Sequence, residues 1–134
     1  LKSYIALREV PMVGRAAPAA ENREIQQRRT REEGTRRMLV SLVGSALAVD
    51  GERLCGAGRG TAREAHARQV AVYIAHIALG LSYTEAGRLF GRDRTTAAHA
   101  CRRVEEQRES ERIDQFVDRL ERAACRATFQ AGRA

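Results

Sequence analysis

The stretch SYTEAGRLFGRDRTTAAHACRRVEE, residues 82–106, contains two helical segments separated by a short turn. Ser82 and Glu85 have the S-x-x-E spacing of a capping box, in which each side chain accepts a backbone N–H at the start of a helix. Gly91 predicts the end of this first helix, and a longer basic helix begins near Asp93. A short capped helix, a turn with glycine and a longer basic helix together predict a helix-turn-helix, whose second helix lies in the DNA major groove.

The start of the second helix carries Asp93, Arg94 and Thr95. Asp can accept from a cytosine amino group, Arg can donate twice to guanine, and a Thr methyl can pack on the thymine methyl. The free N–H groups of a helix start also favour a nearby phosphate. These residues therefore predict base reading, although Asp93 could equally be only the helix cap, with Thr95 and Thr96 as solvated helix residues.

The sequence before Thr61 divides into three parts. Residues 1–20 predict a flexible lead-in, and residues 21–49 predict an N-terminal helical segment with one apolar stripe. Gly34 and Gly44 leave open whether this segment is one helix or two. Residues 50–60, DGERLCGAGRG, predict a loop.

The remaining segments complete an all-α fold, a helical bundle in which residues 50–129 form the DNA-binding domain. Thr61 and Glu64 form a second capping box, and the helix that follows should end at Gly80. The residues of this helix expected to face the core are Val70, Ile74, Ile77 and Ala78. A last amphipathic helix carries Ile113, Phe116, Val117, Leu120 and Ala124. Residues 130–134 predict a tail, and no segment predicts a strand.

The net charge of +7 points to a polyanionic partner. Residues 51–103 contain nine arginines and four acidic residues, a net +5, whereas residues 104–134 carry a net −1. The six Tyr and Phe residues are too scattered to form a stacking platform for single strands. A helix cannot read the narrow major groove of RNA, so the charge and motif together favour double-stranded DNA.

Several classes of protein are disfavoured by the sequence. The three cysteines are far apart, without metal-ligand spacing, which predicts free thiols in a reducing cytosol and a cytoplasmic, nucleoid-associated protein. No apolar run approaches the roughly 20 residues of a membrane span. There is no G-x-x-x-x-G-K-[ST] phosphate loop, and Lys2 is the only lysine, so GAGRG (56–60) is interpreted as a connector. The histidines have no nucleophile partner in a recognisable signature, so we expect no enzyme, cofactor or metal.

The segment ARQVAVYIAHIALGLSYTEAGRLFGRDRTTAAHACRRVEE, residues 67–106, resembles the C-terminal DNA-binding domain of the bacterial replication initiator DnaA. The signature of that family is an A-R-Q helix followed by a G-R-D-H-T-T-V-x-H-A recognition segment. The resemblance extends over roughly residues 38–123.

The resemblance implies a role for individual positions. The residues that would contact bases are Asp93, Arg94 and Thr95. Those that would contact or support the sugar-phosphate backbone are Thr96, His99, Arg68 and Gln69. The family inserts an arginine of its basic loop into the minor groove, and the candidates here are Arg59 and Arg63. Further affinity for the backbone is expected from Arg92, Arg102 and Arg103.

The sequence also departs from the family pattern. Arg94 replaces the family His, Ala97 replaces a Val, and His76 replaces a Lys that would contact phosphate. The turn has one Gly, Gly91, where the family has two. We therefore expect a recognition sequence different from that of the initiator, with a guanine preference opposite Arg94.

The resemblance favours a bacterial transcription regulator, of the kind that activates gene-transfer-agent or phage-like clusters. Its expected partners are double-stranded DNA, RNA polymerase or another regulatory protein, and a second copy of the chain in a homodimer. Two alternatives remain: a replication-origin regulator that competes with the initiator, and a helical protein-interaction module in which 22–49 and 111–129 pair with a partner chain.

Overall fold

The computed structural model describes residues 18–133, with the backbone only for Arg133, and this part of the chain consists of helices and connecting turns without strands. The helices are α1 Ala19–Leu47, α2 Gly51–Cys55, α3 Ala62–Ile77, α4 Tyr83–Leu89, α5 Arg94–Gln107 and α6 Glu111–Arg133. The all-α prediction is therefore confirmed. Among these helices, none combines the length and the apolar character that crossing a membrane requires.

The chain divides into two compact units, Leu1–Arg31 and Glu32–Ala134. The boundary expected from the sequence lay between residues 49 and 50. The structure differs because Leu39 and Val43 of α1 are fully buried in the core of the second unit. The expected lead-in over 1–20 lies largely outside the described residues, although Ala19 and Ala20 already belong to α1. Residues 130–133, which the sequence assigned to a tail, belong to α6.

In the first half of the chain, the structure decides one alternative that the sequence left open and corrects one expectation. α1 is one continuous helix through Gly34 and Gly44, because neither residue interrupts its backbone hydrogen bonding. The segment expected to be a loop contains α2, which begins after Asp50. The Asp50 side chain accepts from the backbone N–H of Glu52 at 3.2 Å, and Leu54 anchors α2 in the core with no exposed surface.

α3 runs through the centre of the second unit and is in contact with α2, α4, α5 and α6. Its capping box is present, because Thr61 Oγ1 accepts from Glu64 N and Glu64 Oε1 accepts from Thr61 N. Val70 and Ile74 are buried as expected. The prediction for Ile77 is wrong: α3 ends at this residue, and its side chain is 45% exposed.

α6 covers one side of this core, and it is fixed partly by polar contacts. Val117, Leu120 and Ala124 are buried, as the sequence predicted. Arg108 follows the end of α5, and its Nε donates to Asp114 Oδ1 at 2.7 Å. Its Nη1 donates to Tyr73 Oη at 3.1 Å and to a carboxylate oxygen of Glu121. One arginine therefore connects α3, α5 and α6.

The turn of the helix-turn-helix depends on Gly87. The capping box of α4 is present, as predicted, and Gly87 O accepts from the backbone N–H of Arg92 at 2.9 Å. A Cβ at Gly87 would lie 2.7 Å from Arg92 O and 3.2 Å from Ala97 Cβ. Gly91 has φ +67°, a conformation that other residues rarely adopt. The two helices of the motif can therefore approach only because no side chain separates them at residue 87.

We expect Gly87→Ala to destabilise the protein by roughly 1–3 kcal/mol, because the added methyl group meets backbone oxygens that cannot move freely. Thermal unfolding measures the effect. The matched control is Gly34→Ala, because Gly34 is a helical glycine with nothing within 4 Å of the added Cβ. The control should be more stable by up to about 1 kcal/mol, because alanine has a higher helix propensity than glycine. Equal unfolding temperatures for the two variants would contradict the packing argument.

Candidate nucleic-acid interface

A groove of about 880 Å³ lies between α3, α5 and the glycine-rich loop that precedes α3. The polar and basic residues that line it are Arg59, His66, Arg68, Gln69, Arg92, Thr96, His99, Arg103 and Gln107. No carboxylate lines this groove. The structure thus brings together, from three separate segments, most of the residues that the sequence singled out as contacts to the DNA backbone.

Asp93 is the N-cap of α5. Its Oδ1 accepts from the backbone N–H of Thr96 at 2.8 Å, and this hydrogen bond lowers the pKa of the carboxyl group. The cap role that the sequence left open is therefore present in the structure. Base reading by Asp93 stays a prediction. It would require the same carboxylate to accept from the backbone N–H of Thr96 and from a base.

α5 exposes one face and buries the other. Ala97, Ala100, Cys101 and Val104 face the core. Burial raises the pKa of Cys101 to about 11, as expected for an unreactive thiol that packs inward. The exposed polar residues on the other face are Arg94, Thr95, Thr96, His99, Arg102 and Arg103. Within the described part of the chain, none of these basic side chains forms an ion pair with a carboxylate.

Arg68 has partners that the sequence did not predict. Its side chain is 7% exposed, and it donates from Nε to Leu54 O at 2.9 Å, from Nη1 to Arg59 O at 3.2 Å and from Nη2 to Arg53 O at 3.1 Å. Burial lowers the pKa of this guanidinium. In the structure, Arg68 therefore holds the end of α2 and the loop together. The phosphate contact predicted for this residue stays a prediction.

Arg92 holds the same loop from the other side. Its Nη2 donates to Gly56 O at 2.9 Å and to Gly58 O at 2.7 Å. Its Nη1 donates to Phe90 O at 2.9 Å, in the turn of the helix-turn-helix. The guanidinium expected to bind phosphate is thus engaged with backbone carbonyls, and it connects the loop to the turn that precedes α5.

Arg59 lies in the loop that Arg68 and Arg92 hold in place. Its carbonyl accepts from Arg68, whereas its side chain is exposed and makes no hydrogen bond or ion pair with any residue that the structure describes. Arg63 is also exposed, but it does not line the groove. Of the two candidates for minor-groove contact, the geometry favours Arg59.

Two residues that line the groove, Gln107 and His66, were not among the DNA contacts predicted from the sequence. Gln107 Oε1 is buried and has no hydrogen-bond partner in the described chain. His66 lies on the same groove, and burial lowers its pKa. Gln107 is one helical turn after Arg103, so its i, i+4 spacing was the available signal. His76 lies elsewhere: its Nδ1 is 2.7 Å from Leu81 O, and its ring stacks on Tyr83 at 4.2 Å.

The described residues contain no group of three or more His, Cys, Asp and Glu side chains arranged to hold a metal ion. Cys55, Cys101 and Cys125 are free thiols. The arrangement that the structure does provide is a concave basic surface beside an exposed helix face. Such a surface suits a phosphate backbone and the edges of bases.

Comparisons with known proteins agree with this geometry. Residues 37–104 match the family described as bacterial dnaA protein helix-turn-helix. A crystal structure of a DNA replication initiation factor superposes with a TM-score of 0.67 and 29% sequence identity, over 77% of this chain and 32% of that protein. The chain therefore spans about a third of the length of that relative.

No curated protein sequence matches the chain. The family match extends from the second half of α1 to the buried Val104 of α5, and it includes α4, the turn and most of α5. The resemblance noted in the sequence is thereby confirmed, and the chain belongs to the DnaA family of bacterial helix-turn-helix domains.

Proposed function

We propose that the chain binds double-stranded DNA at a specific sequence and regulates transcription, without catalysing a reaction. The observation that supports this proposal best is the placement of exposed cations on both sides of one groove. The exposed face of α5 lies on one side and Arg59 on the other, and the groove lacks carboxylates. Cationic side chains repel one another, and in most proteins they pair with carboxylates or lie apart in solvent. Their convergence on one groove therefore favours a polyanionic ligand.

In this proposal, the residues that recognise the DNA sequence lie in the first turn of α5. Arg94 and Thr95 are exposed at the helix start, where a recognition helix meets the base edges of the major groove. Arg94 can donate to O6 and N7 of guanine, and the Thr95 methyl group can contact thymine. Asp93 would contribute by fixing where the helix begins.

Affinity in this proposal comes from the phosphate backbone. Arg103, His99 and Thr96 lie at one-turn spacing along the groove, and Gln69 faces them from α3. Arg59 would enter the adjacent minor groove from the loop, since a narrow minor groove attracts arginine. Glu105 and Glu106 are exposed further along α5, and they would repel phosphate. The duplex should therefore leave the helix before these residues.

For the biological role, we propose that the bound domain recruits or excludes RNA polymerase or another regulatory protein. Arg94 supports this choice over competition at replication origins. It is exposed at a base-reading position where the family carries His, so the chain should prefer a different sequence from the initiator.

The proposal is tested by selecting bound duplexes from a random DNA library at two salt concentrations. We expect one sharp motif at both concentrations, different from the initiator box. A palindromic motif, with half-sites about one helical turn apart, would show that the chain binds as a dimer. Enrichment without a motif, lost at the higher salt, would contradict sequence-specific binding and favour phosphate contact alone.

Arg94→His should change the base preference at one position of the motif and leave the remaining positions unchanged. The expected loss of discrimination for guanine is about 1–3 kcal/mol, the value of a bidentate arginine–guanine contact. Competition binding with single-base variants of the motif measures it. Arg112→His on α6, outside the groove, is the matched control and should leave every base preference as it is. An unchanged preference in Arg94→His would rule out base reading by Arg94.

Arg59→Ala and Arg68→Met should separate contact with DNA from anchoring of the loop. Arg59→Ala should keep the unfolding temperature while making the slope of log K against log salt less steep by about 1, the value of one lost cation. Arg68→Met should lower stability by roughly 1–3 kcal/mol, because it leaves three carbonyls without donors.

The control for Arg59→Ala is Arg126→Ala, which removes an exposed arginine on α6. Its salt slope should equal that of the unmodified protein. If both alanine variants reduced the slope equally, the effect would come from net charge, and a direct contact by Arg59 would be excluded.

A further inference from the structure

Four arginines near the start of α1 form no ion pair with any carboxylate that the structure describes. These residues, which all lie in the first unit, are Arg23, Arg28, Arg29 and Arg31, and no ion pair joins any of them to Glu21 or Glu24 within the described range 18–31. In the second unit, many arginines outside the groove are neutralised. Those paired with Asp or Glu are Arg36, Arg37, Arg53, Arg88, Arg108 and Arg122.

Two of these arginines share a helix face with uncharged hydrogen-bond donors. A shallow groove of about 540 Å³ on this face is lined by Arg23, Gln26, Gln27, Thr30 and Arg31. The positions follow the i, i+3, i+4, i+7, i+8 spacing of one side of a helix. None of these side chains is a carboxylate, and the arginines and glutamines carry N–H donors, whereas the Thr30 hydroxyl donates to Gln26 O at 3.0 Å. Such a row of donors is complementary to a row of phosphate oxygens.

The same segment has little apolar surface. Residues 18–31 are all exposed except Ile25, which is half-buried. A helix that binds a membrane surface needs a continuous apolar face, which a single Ile does not supply. A helical segment without packing is also only marginally stable in water. A ligand that neutralises its arginines would therefore stabilise it.

We propose that residues 23–31 form a second phosphate-binding element, which contacts the duplex beside the sequence read by α5. This inference rests on the proposed function, because the bound duplex is what presents phosphates to the segment. Because the segment belongs to the same chain as α5, a flanking phosphate within its reach would be bound intramolecularly, so even weak individual contacts would add affinity. The element supplies no base reading: it extends the footprint and steepens the salt dependence of binding.

The test replaces Arg23, Arg28, Arg29 and Arg31 by Gln, whose helix propensity is close to that of Arg. The control replaces Arg112, Arg119, Arg122 and Arg126 of α6 by Gln, which removes the same charge from another helix and, at Arg122, also an exposed ion pair with Asp118. Affinity is measured against salt for two duplexes: the selected motif alone, and the motif with flanking sequence on both sides. Thermal unfolding confirms that each variant is folded.

On the long duplex, the slope of log K against log salt should become less steep by about 2 in the α1 variant, corresponding to two lost phosphate contacts at about 0.9 each. On the short duplex its slope should match that of the unmodified protein. The α6 variant should show no difference between the two duplexes, and hydroxyl-radical footprints should shorten only in the α1 variant. The selected motif should be identical in all three proteins.

An unchanged slope and footprint in the α1 variant would overturn the inference while leaving the proposed function intact. An equal loss in the α6 variant would also overturn it, because net charge would then be the cause. A loss of equal size on both duplexes would place the contacts inside the motif and contradict a flanking element. If the unmodified protein selected no motif, the proposed function would fail, and this inference would fail with it.

Discussion

The interface depends on two guanidinium groups that bind backbone carbonyls. Arg68 joins the loop to the end of α2, and Arg92 joins the same loop to the turn before α5. A glycine-rich loop has few side chains of its own with which to fix its course, and it loses much conformational freedom on folding. Charged donors bound to carbonyls are among the stronger hydrogen bonds in proteins. These contacts hold Arg59 at one side of the groove while α5 forms the other.

Local chemistry made much of the fold predictable. The capping boxes at Thr61 and Ser82 lie within four residues of sequence, and the helices begin where these patterns place them. The stripe of Val117, Leu120 and Ala124 is likewise a property of one helix. What could not be predicted involves distant partners. Arg92 binds Gly56, a residue 36 positions earlier, and nothing in either segment identifies the other.

The same reason explains why the sequence did not reveal that Arg68 and Arg92 bind backbone carbonyls. An arginine in a basic loop or at a helix start has the same sequence signal whether it binds phosphate or a carbonyl. Only packing shows that Arg68 is buried while Arg94 and Arg103 face solvent. The extent of α1 was also uncertain, because glycine lowers helix propensity but tertiary contacts at Leu39 and Val43 outweigh that cost. Sequence thus identified the helix-turn-helix, and structure separated its anchoring cations from its exposed ones.

The most direct measurement is a backbone amide NMR titration of the chain with its selected duplex. If the groove is the interface, the largest shift changes should fall at 57–60 in the loop and at 93–103 in α5, on both sides of the groove. The amides of α6 in the core, near Val117 and Leu120, should change little. Large changes confined to α6, with the loop and α5 unaffected, would contradict DNA binding in this groove.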